Sequence, residues 1–542
     1  MAGHAKPPAP EKMPPKEVQE RASPRAPVQD PTLGIAIHKP PAGEPPHRLV
    51  TIGDSMTHGF QSFAISNPHI SYPAIVAQEL GWYDQFRRPS YAGVGGLPLN
   101  LEYLARKIEE HYGPNVNPLE LAWAVVQIYH WMDEVEDYWE RGLGAQLPPR
   151  GEIMHNLGIY GWDLRDTLAR TAETCAQAIA KEEQDRKKDN VHPTKQLVHQ
   201  HNARAALRVL DSARDAAGRA LTPLGAARAL GEQGAAGDGI ETLVVMLGAN
   251  NALATVVQLD VKWSLDDGFE DLVKKSQYTV WAPAHFRSEL ARVEAEVRNI
   301  RARHVIWATV PHVTIAPIAH GVRGKVRKGS RYFHYYTRPW IAPEEFSADK
   351  GQDKHITADE ARHVDAAIDF YNDAITELVR AARTEGREWY LLELCGLLDS
   401  LAQKRYIEDS DAQPGWWQPY RLPPALAALR PRPTTYFYRS DETGRTHGGL
   451  FSLDGVHPTT IGYGIVAQEV IRVMRVAGVE FRDAEGKPRQ DPVEVDFKNL
   501  IAEDTLISNP PHTVTSIVKL LGWFDEEFDI VKRVMNSFAV AG

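Results

Sequence analysis

The sequence predicts an α/β protein: a parallel sheet of about five strands with helices packed on both of its faces. Three observations predict it. Short apolar, β-branched runs recur at 49–52, 241–247, 304–310 and 389–394. They do not alternate in polarity, as expected of strands buried on both sides. Segments with helical spacing, 285–301 and 357–383, lie between them, the alternation that builds a covered parallel sheet. Two of the runs also end in small-residue turns that carry a polar side chain, Gly53-Asp54-Ser55 and Gly248-Ala249-Asn250. In open parallel sheets ligands bind beyond the carboxyl ends of the strands.

Bulk properties narrow the function classes. Of the 542 residues, 43% are hydrophobic and 24% charged, the balance of a globular chain with a large core. The net charge of -10 gives no basic excess, so no nucleic-acid partner is expected. Cys175 and Cys395 stand far apart, which predicts neither a disulfide framework nor a zinc site. The most apolar run, 305–319, is broken by Pro311, His312 and Pro317 and is too short to span a membrane. The N-terminus has no apolar signal-peptide region, so a cytoplasmic location is expected.

Taken in order, residues 1–46 hold 12 of the 38 prolines and little to bury, which predicts a disordered tail. The first strand and Ser55 follow. A helix is predicted over 72–80, with Pro73 in its first turn and Gly81 as its stop. Tyr91-Ala92-Gly93-Val94-Gly95-Gly96 is a glycine turn that can bring backbone close to a ligand. Residues from about 99 to 238 read as a helical insertion, with helices expected over 164–181 and 203–230 and a solvated charge run at 181–190. The second, third and fourth strands follow. Two long loops, about 313–356 and 400–450, are lid-like. The first carries Arg323, Lys325, Arg327, Lys328, Arg331 and Arg338 among aromatic residues, a mixture that could bind a phosphate or a lipid headgroup, against the plainer expectation of a surface loop whose aromatics pack down onto the sheet. Asp454-Gly455-Val456-His457 precedes a last helix over 461–476, with Thr459 or Thr460 as its cap. The body is thus expected over 47–480, with 481–542 a C-terminal extension packed on it.

Four of these blocks, in this order, carry a resemblance. Gly53-Asp54-Ser55, the glycine turn, Gly248-Ala249-Asn250 and Asp454-Gly455-Val456-His457 resemble the SGNH (GDSL-type) serine hydrolase family. The resemblance implies a flavodoxin-like three-layer α/β/α sandwich and hydrolysis of carboxylic esters through an acyl-enzyme, without metal or cofactor. A serine hydroxyl needs a base to take its proton. The base would be His457, with Asp454 holding the imidazole in the useful tautomer. The oxyanion donors implied are the Ser55 N–H, the Gly96 N–H, with Gly95 the alternative by one register, and the Asn250 side-chain amide.

Met56 stands for the usual leucine, Asn251 for aspartate and Tyr91 for asparagine. His58 is a candidate substrate contact, against the plainer reading of a loop histidine. His130, His199 and His201 lack partners at metal-ligand spacing. Asp189-Asn190-Val191-His192 imitates the last block but precedes Asn250 and follows no strand, so it is rejected. The expected substrate is a small-molecule or lipid ester, with esterase or lipase favoured by the aromatic insertions. The rival readings are a phospholipase at a membrane surface and a non-catalytic binding protein that keeps the fold.

Overall fold

Five strands form the central sheet: β1 (His47–Gly53), β2 (Asn156–Gly158), β3 (Ile240–Met246), β4 (Ala302–Ala308) and β5 (Trp389–Leu392). The computed structural model describes residues 10–38, 43–114, 116–188, 197–234, 238–265, 268–349, 353–483, 485–512 and 514. All strand pairs in the sheet are parallel, in the order β2-β1-β3-β4-β5. The chain runs outward from β1 to β2, then returns past β1 to β3. That reversal opens a crevice between the loops that follow β1 and β3.

The unbroken apolar runs cover both faces. Val50, Ile52, Leu243, Val245, Val305, Trp307 and Leu391 belong to one core cluster. Leu49, Val244, Met246, Ile306, Ala308, Tyr390 and Leu392 belong to the other. The helices Pro283–Arg298 and Ala358–Thr384 pack on the first face. The helices Tyr72–Glu79 and Thr460–Val476 pack on the second. Thr357 caps the helix Ala358–Thr384 in a reciprocal box with Glu360, an arrangement worth about 1 kcal/mol. Thr459, not Thr460, caps the last one by accepting from the Gly462 N–H.

Three expectations change. The block 99–238 is not purely helical, because it supplies β2, an edge strand of the central sheet. Three residues are too few for a periodicity to register. The helices expected over 164–181 and 203–230 are each two, Leu164–Ala169 with Ala172–Lys188, and His201–Leu210 with Pro223–Gly231. The N-terminal segment, expected to be disordered, is laid along the body over 10–38. Val18 is fully buried, Leu391 N–H donates to the Pro31 carbonyl at 3.0 Å, and the Arg25 guanidinium forks onto Glu393 at 2.9 and 2.9 Å. Composition counts apolar residues, whereas this segment is fixed by arginines that meet acids far away in sequence.

The loop 313–356 holds a three-stranded antiparallel sheet, His320–Lys325, Phe333–Thr337 and Ile356–Thr357, with Tyr332, Tyr336 and Phe346 buried. In the C-terminal extension, the helix Phe497–Glu503 packs against the last helix of the body through Phe497 and Leu500. Residues 515–542 lie outside the described residues, as does the decoy at 189–192. Among the described residues no helix is long and apolar enough to cross a membrane.

Candidate active site

The turn after β1 is built by Gly53, Asp54 and Ser55. A Cβ on Gly53 would lie 2.0 Å from the Thr57 hydroxyl, so only glycine fits. Asp54 caps the short helix Ser55–His58 by accepting from the Met56 N–H at 3.1 Å. Ser55 opens that helix, which leaves its own N–H without an intrahelical acceptor.

His457, 402 residues further on, meets the serine. Its Nε2 lies 2.8 Å from Ser55 Oγ, and its Nδ1 lies 2.9 Å from Asp454 Oδ2. Asp454 Oδ1 also accepts from the N–H groups of Val456 and His457, at 2.8 and 2.8 Å, and Oδ2 accepts from Phe63 N–H at 3.0 Å. An acceptor-only carboxylate fixes the tautomer: Nδ1 carries the proton, and Nε2 is free to accept from the serine. Burial works against ionisation of Asp454, but the His457 imidazole and these N–H donors outweigh it and hold the carboxyl below its ordinary value.

Asp54 behaves in the opposite way. Burial pushes its carboxyl up to about 6, against the Met56 N–H and the nearby His457. A carboxyl whose folded pKa is raised contributes stability that is complete below the unfolded value and lost as pH rises through the folded one. Asp54→Asn stays neutral. It is expected to melt a few degrees above wild type at pH 8, a gain on the order of 1–3 kcal/mol, with the gap closing by pH 4. Thermal melts at both pH values check this; an equal gap at both would remove the buried carboxylate as its source.

The structure sets the glycine turn away from the serine-bearing end of the central sheet. Gly96 and Gly95 follow no central strand. A Cβ on Gly96 would meet the Ile65 carbonyl at 2.9 Å and one on Gly95 would meet Val135 at 2.4 Å, so packing accounts for both positive φ values. Trp139 Nε1 donates to the Val94 carbonyl at 2.9 Å, pinning the turn to the helix Pro118–Glu140.

The segment that follows β2 lies beside the serine instead. Gly158 pairs with Gly53, and Gly53 pairs with Met246 on its other side. Hence the loops after β2, β1 and β3 sit side by side. Trp162 N–H donates to the Ile159 carbonyl at 3.3 Å, closing a turn with Gly161 at φ 77, a position that needs glycine. Asn250 Nδ2 donates to the Trp162 carbonyl at 2.9 Å, bridging from the β3 loop to the β2 loop across the serine turn. The Gly161 N–H has no hydrogen-bond acceptor among the described residues. The signal in the sequence is Leu157-Gly158-Ile159 running into Gly161, followed by the Asp163 to Asp166 capping box.

His58 is not a substrate contact. It is fully buried; its Nδ1 accepts from the Tyr160 N–H at 3.2 Å, and its Nε2 lies 2.7 Å from the Tyr91 hydroxyl, which donates to the Ala205 carbonyl at 2.9 Å. Burial lowers its pKa to about 3, so it stays neutral. Asn251 is fully buried, and neither atom of its amide has a partner among the described residues. Both cysteines are buried free thiols.

His130 is exposed, with Glu134 at 3.3 Å. His201 Nδ1 lies 2.8 Å from the buried Tyr160 hydroxyl. Among the described residues two side-chain groups could hold a metal by ligand type: Glu136, Glu140 and His199, and His312, Cys395 and Asp399. The first set escaped the sequence because His199 reaches back to a helix some 60 residues earlier. In the second, both ring nitrogens of His312 are already engaged, by Asp399 and Asp369 at 3.1 and 3.1 Å.

Ser55 and His457 open onto an apolar cavity of about 110 Å³. Leu253, Leu397, Leu398, Leu401, Ile465 and Val466 form much of its wall. No family model, curated protein or solved structure matches the chain.

Proposed function

We propose that the protein is a serine-dependent carboxylic ester hydrolase of the SGNH type, acting on esters with an apolar acyl group. The observation that carries this reading is the unbroken line from Ser55 Oγ to His457 Nε2 at 2.8 Å and from His457 Nδ1 to Asp454 Oδ2 at 2.9 Å, facing the apolar cavity. The strand order β2-β1-β3-β4-β5 is that of flavodoxin-like sheets, and the serine sits at the switch point between β1 and β3.

In this mechanism Ser55 Oγ bonds to the ester carbonyl carbon as its proton passes to His457 Nε2. Asp454 stabilises the imidazolium. The oxyanion is held by the Ser55 N–H, by the Gly161 N–H in place of Gly96, and by the Asn250 amide. The intermediate collapses, the alkoxide leaves with the proton from His457, and the acyl group remains on Ser55. Water then attacks that carbonyl, giving its proton to His457. Release of the acid restores the serine.

A fluorophosphonate probe tests the reading. The expected result is one covalent adduct on Ser55 in the folded protein, absent after heat denaturation. No adduct on folded protein would favour the non-catalytic binding protein. Asn250→Ala is expected to lower kcat by about 10²–10³ with little change in KM, because one oxyanion donor is lost. Steady-state kinetics on a soluble ester check this, and an unchanged kcat would remove Asn250 from the site.

A further inference from the structure

Next to the apolar cavity lies a larger one of about 250 Å³ with a cationic wall. The two cavities share Thr435 in their linings, and neighbouring residues of the same segments line one or the other: Val313, Ala316 and Leu401 the apolar cavity, Thr314, Ile315 and Ala402 the cationic one. Arg331, Lys404, Arg405 and Arg439 line the second cavity, and no described Asp or Glu does.

Arg405 is neutralised by Asp365 at 2.8 Å. The other three cations have no carboxylate in contact among the described residues. Arg331 donates to the Tyr332 and Tyr406 hydroxyls at 3.0 and 3.3 Å, and Arg439 donates to the Pro339 carbonyl at 3.2 Å. The Lys404 ammonium stands 5.6 Å above the Tyr436 ring. None of the three has a carboxylate within 4.0 Å among the described residues. Glu408, which accepts from the Tyr436 hydroxyl and from Gln403, is the acid that acts on Lys404 from further off. Burial, reinforced by Arg439 and opposed by Glu408, depresses the Lys404 ammonium to about 8. His320 also lines the cavity, and its Nδ1 is buried without a partner among the described residues. Arg331, Lys404 and Arg439 are half-buried, and the acids that act on them, Asp365 on Arg331 and Glu408 on Lys404, do so without contact, so the wall keeps a cationic excess that an anion would complete.

We infer that this cavity binds the phosphate group of an anionic ester substrate whose acyl chain fills the apolar cavity beside Ser55. The inference rests on the ester-hydrolase reading for the substrate's other half. A phosphate monoester carries about -1.5 to -2 charges at neutral pH, a closer match to three cations than the single charge of a carboxylate. Guanidinium forks and an ammonium point charge are the side chains that recognise phosphate. The basic stretch 323–338 contributes only Arg331 of its cations to this wall. Arg323, Lys325 and Arg338 are used internally, by the Phe346 carbonyl, Asp409 and the Val256 carbonyl at 2.6, 2.6 and 3.3 Å.

The test compares 1-octanoylglycerol 3-phosphate with 1-octanoylglycerol on the full chain. Wild type is expected to favour the phosphate by about tenfold or more in kcat/KM, through KM. That ratio is expected to fall towards one in Lys404→Gln and Arg439→Gln and to be kept in Lys404→Arg, the rescue that separates lost charge from lost fold. Equal rates on both substrates in wild type, or a ratio unmoved in the Gln variants, would overturn the assignment and leave ester hydrolysis standing.

Calorimetric titration of Ser55→Ala with the same phosphate ester and with inorganic phosphate reads binding without turnover. Binding that depends on Lys404 and Arg439, with wild type hydrolysing neither ester, would retain the phosphate site and remove the hydrolase. Binding of inorganic phosphate that the phosphate ester does not displace would overturn the substrate assignment, because the anion would then be a separate ligand.

Discussion

Ser55→Ala is expected to lower kcat/KM on p-nitrophenyl esters by about 10⁴–10⁶ while leaving the fold intact. The rate falls because no other group stands where the hydroxyl stands. His457 Nε2 would face a methyl group and have no proton to take. The fold survives because the hydroxyl gives up one hydrogen bond, at a cost of about 1 kcal/mol. Near-UV circular dichroism of the variant checks the second point, and a series from acetate to palmitate checks the first. The wild-type optimum should fall well short of palmitate, since the cavity beside the serine is only about 110 Å³. Full activity in the folded variant would exclude Ser55 as the nucleophile. No turnover by wild type on any chain length would direct attention to the anionic substrates or to the binding-protein reading, which probe labelling separates.

Asp454→Asn is expected to lower kcat by about 10⁴ with a small effect on KM. Both carboxylate oxygens of Asp454 receive donors: Val456 and His457 N–H on Oδ1, and Phe63 N–H with His457 Nδ1 on Oδ2. An amide must therefore turn its NH₂ towards two donors, whichever way it is placed. If it faces His457 Nδ1, the imidazole takes the other tautomer and presents an N–H to the serine, which cannot then be deprotonated. The unsatisfied buried donors also cost stability, about 1–3 kcal/mol.

The pH dependence of stability separates the two effects. The wild-type carboxyl is held below its ordinary value, so its contribution is present above about pH 4 and lost as pH falls through the folded pKa. The variant should lack that part of the acid limb. A variant with wild-type kcat would show that Asp454 neither sets the tautomer nor stabilises the imidazolium.

Local features were legible in the sequence. An apolar run buried on both faces needs no partner to be recognised, so β1, β3, β4 and β5 were visible from composition alone. Asp454 and His457 are three residues apart, and one tight loop can hold them together. Gly53 is required by its own neighbour Thr57. The glycine turn marks the limit of local reading. A cluster of glycines reports that the backbone turns, not where that turn sits. Gly93, Gly95 and Gly96 turn against Tyr138, Val135 and Ile65, whereas Gly161 turns at the end of a strand too short to register. His58 follows the serine and so offers itself as a substrate contact beside the plainer reading of a loop histidine, yet its environment is set by Tyr160 and Tyr91, far along the chain.

Local sequence encodes the α/β class, four of the five central strands, the serine turn and the histidine–aspartate block. Each is encoded in residues within a few positions of one another, through burial pattern, capping and backbone freedom. The fold alone brings Gly158 beside Gly53, pins the N-terminal segment through Arg25 to Glu393, and gathers Arg331, Lys404 and Arg439 around one cavity. Those features depend on contacts between residues dozens to hundreds of positions apart, and sheet order and packing set such contacts, not local spacing.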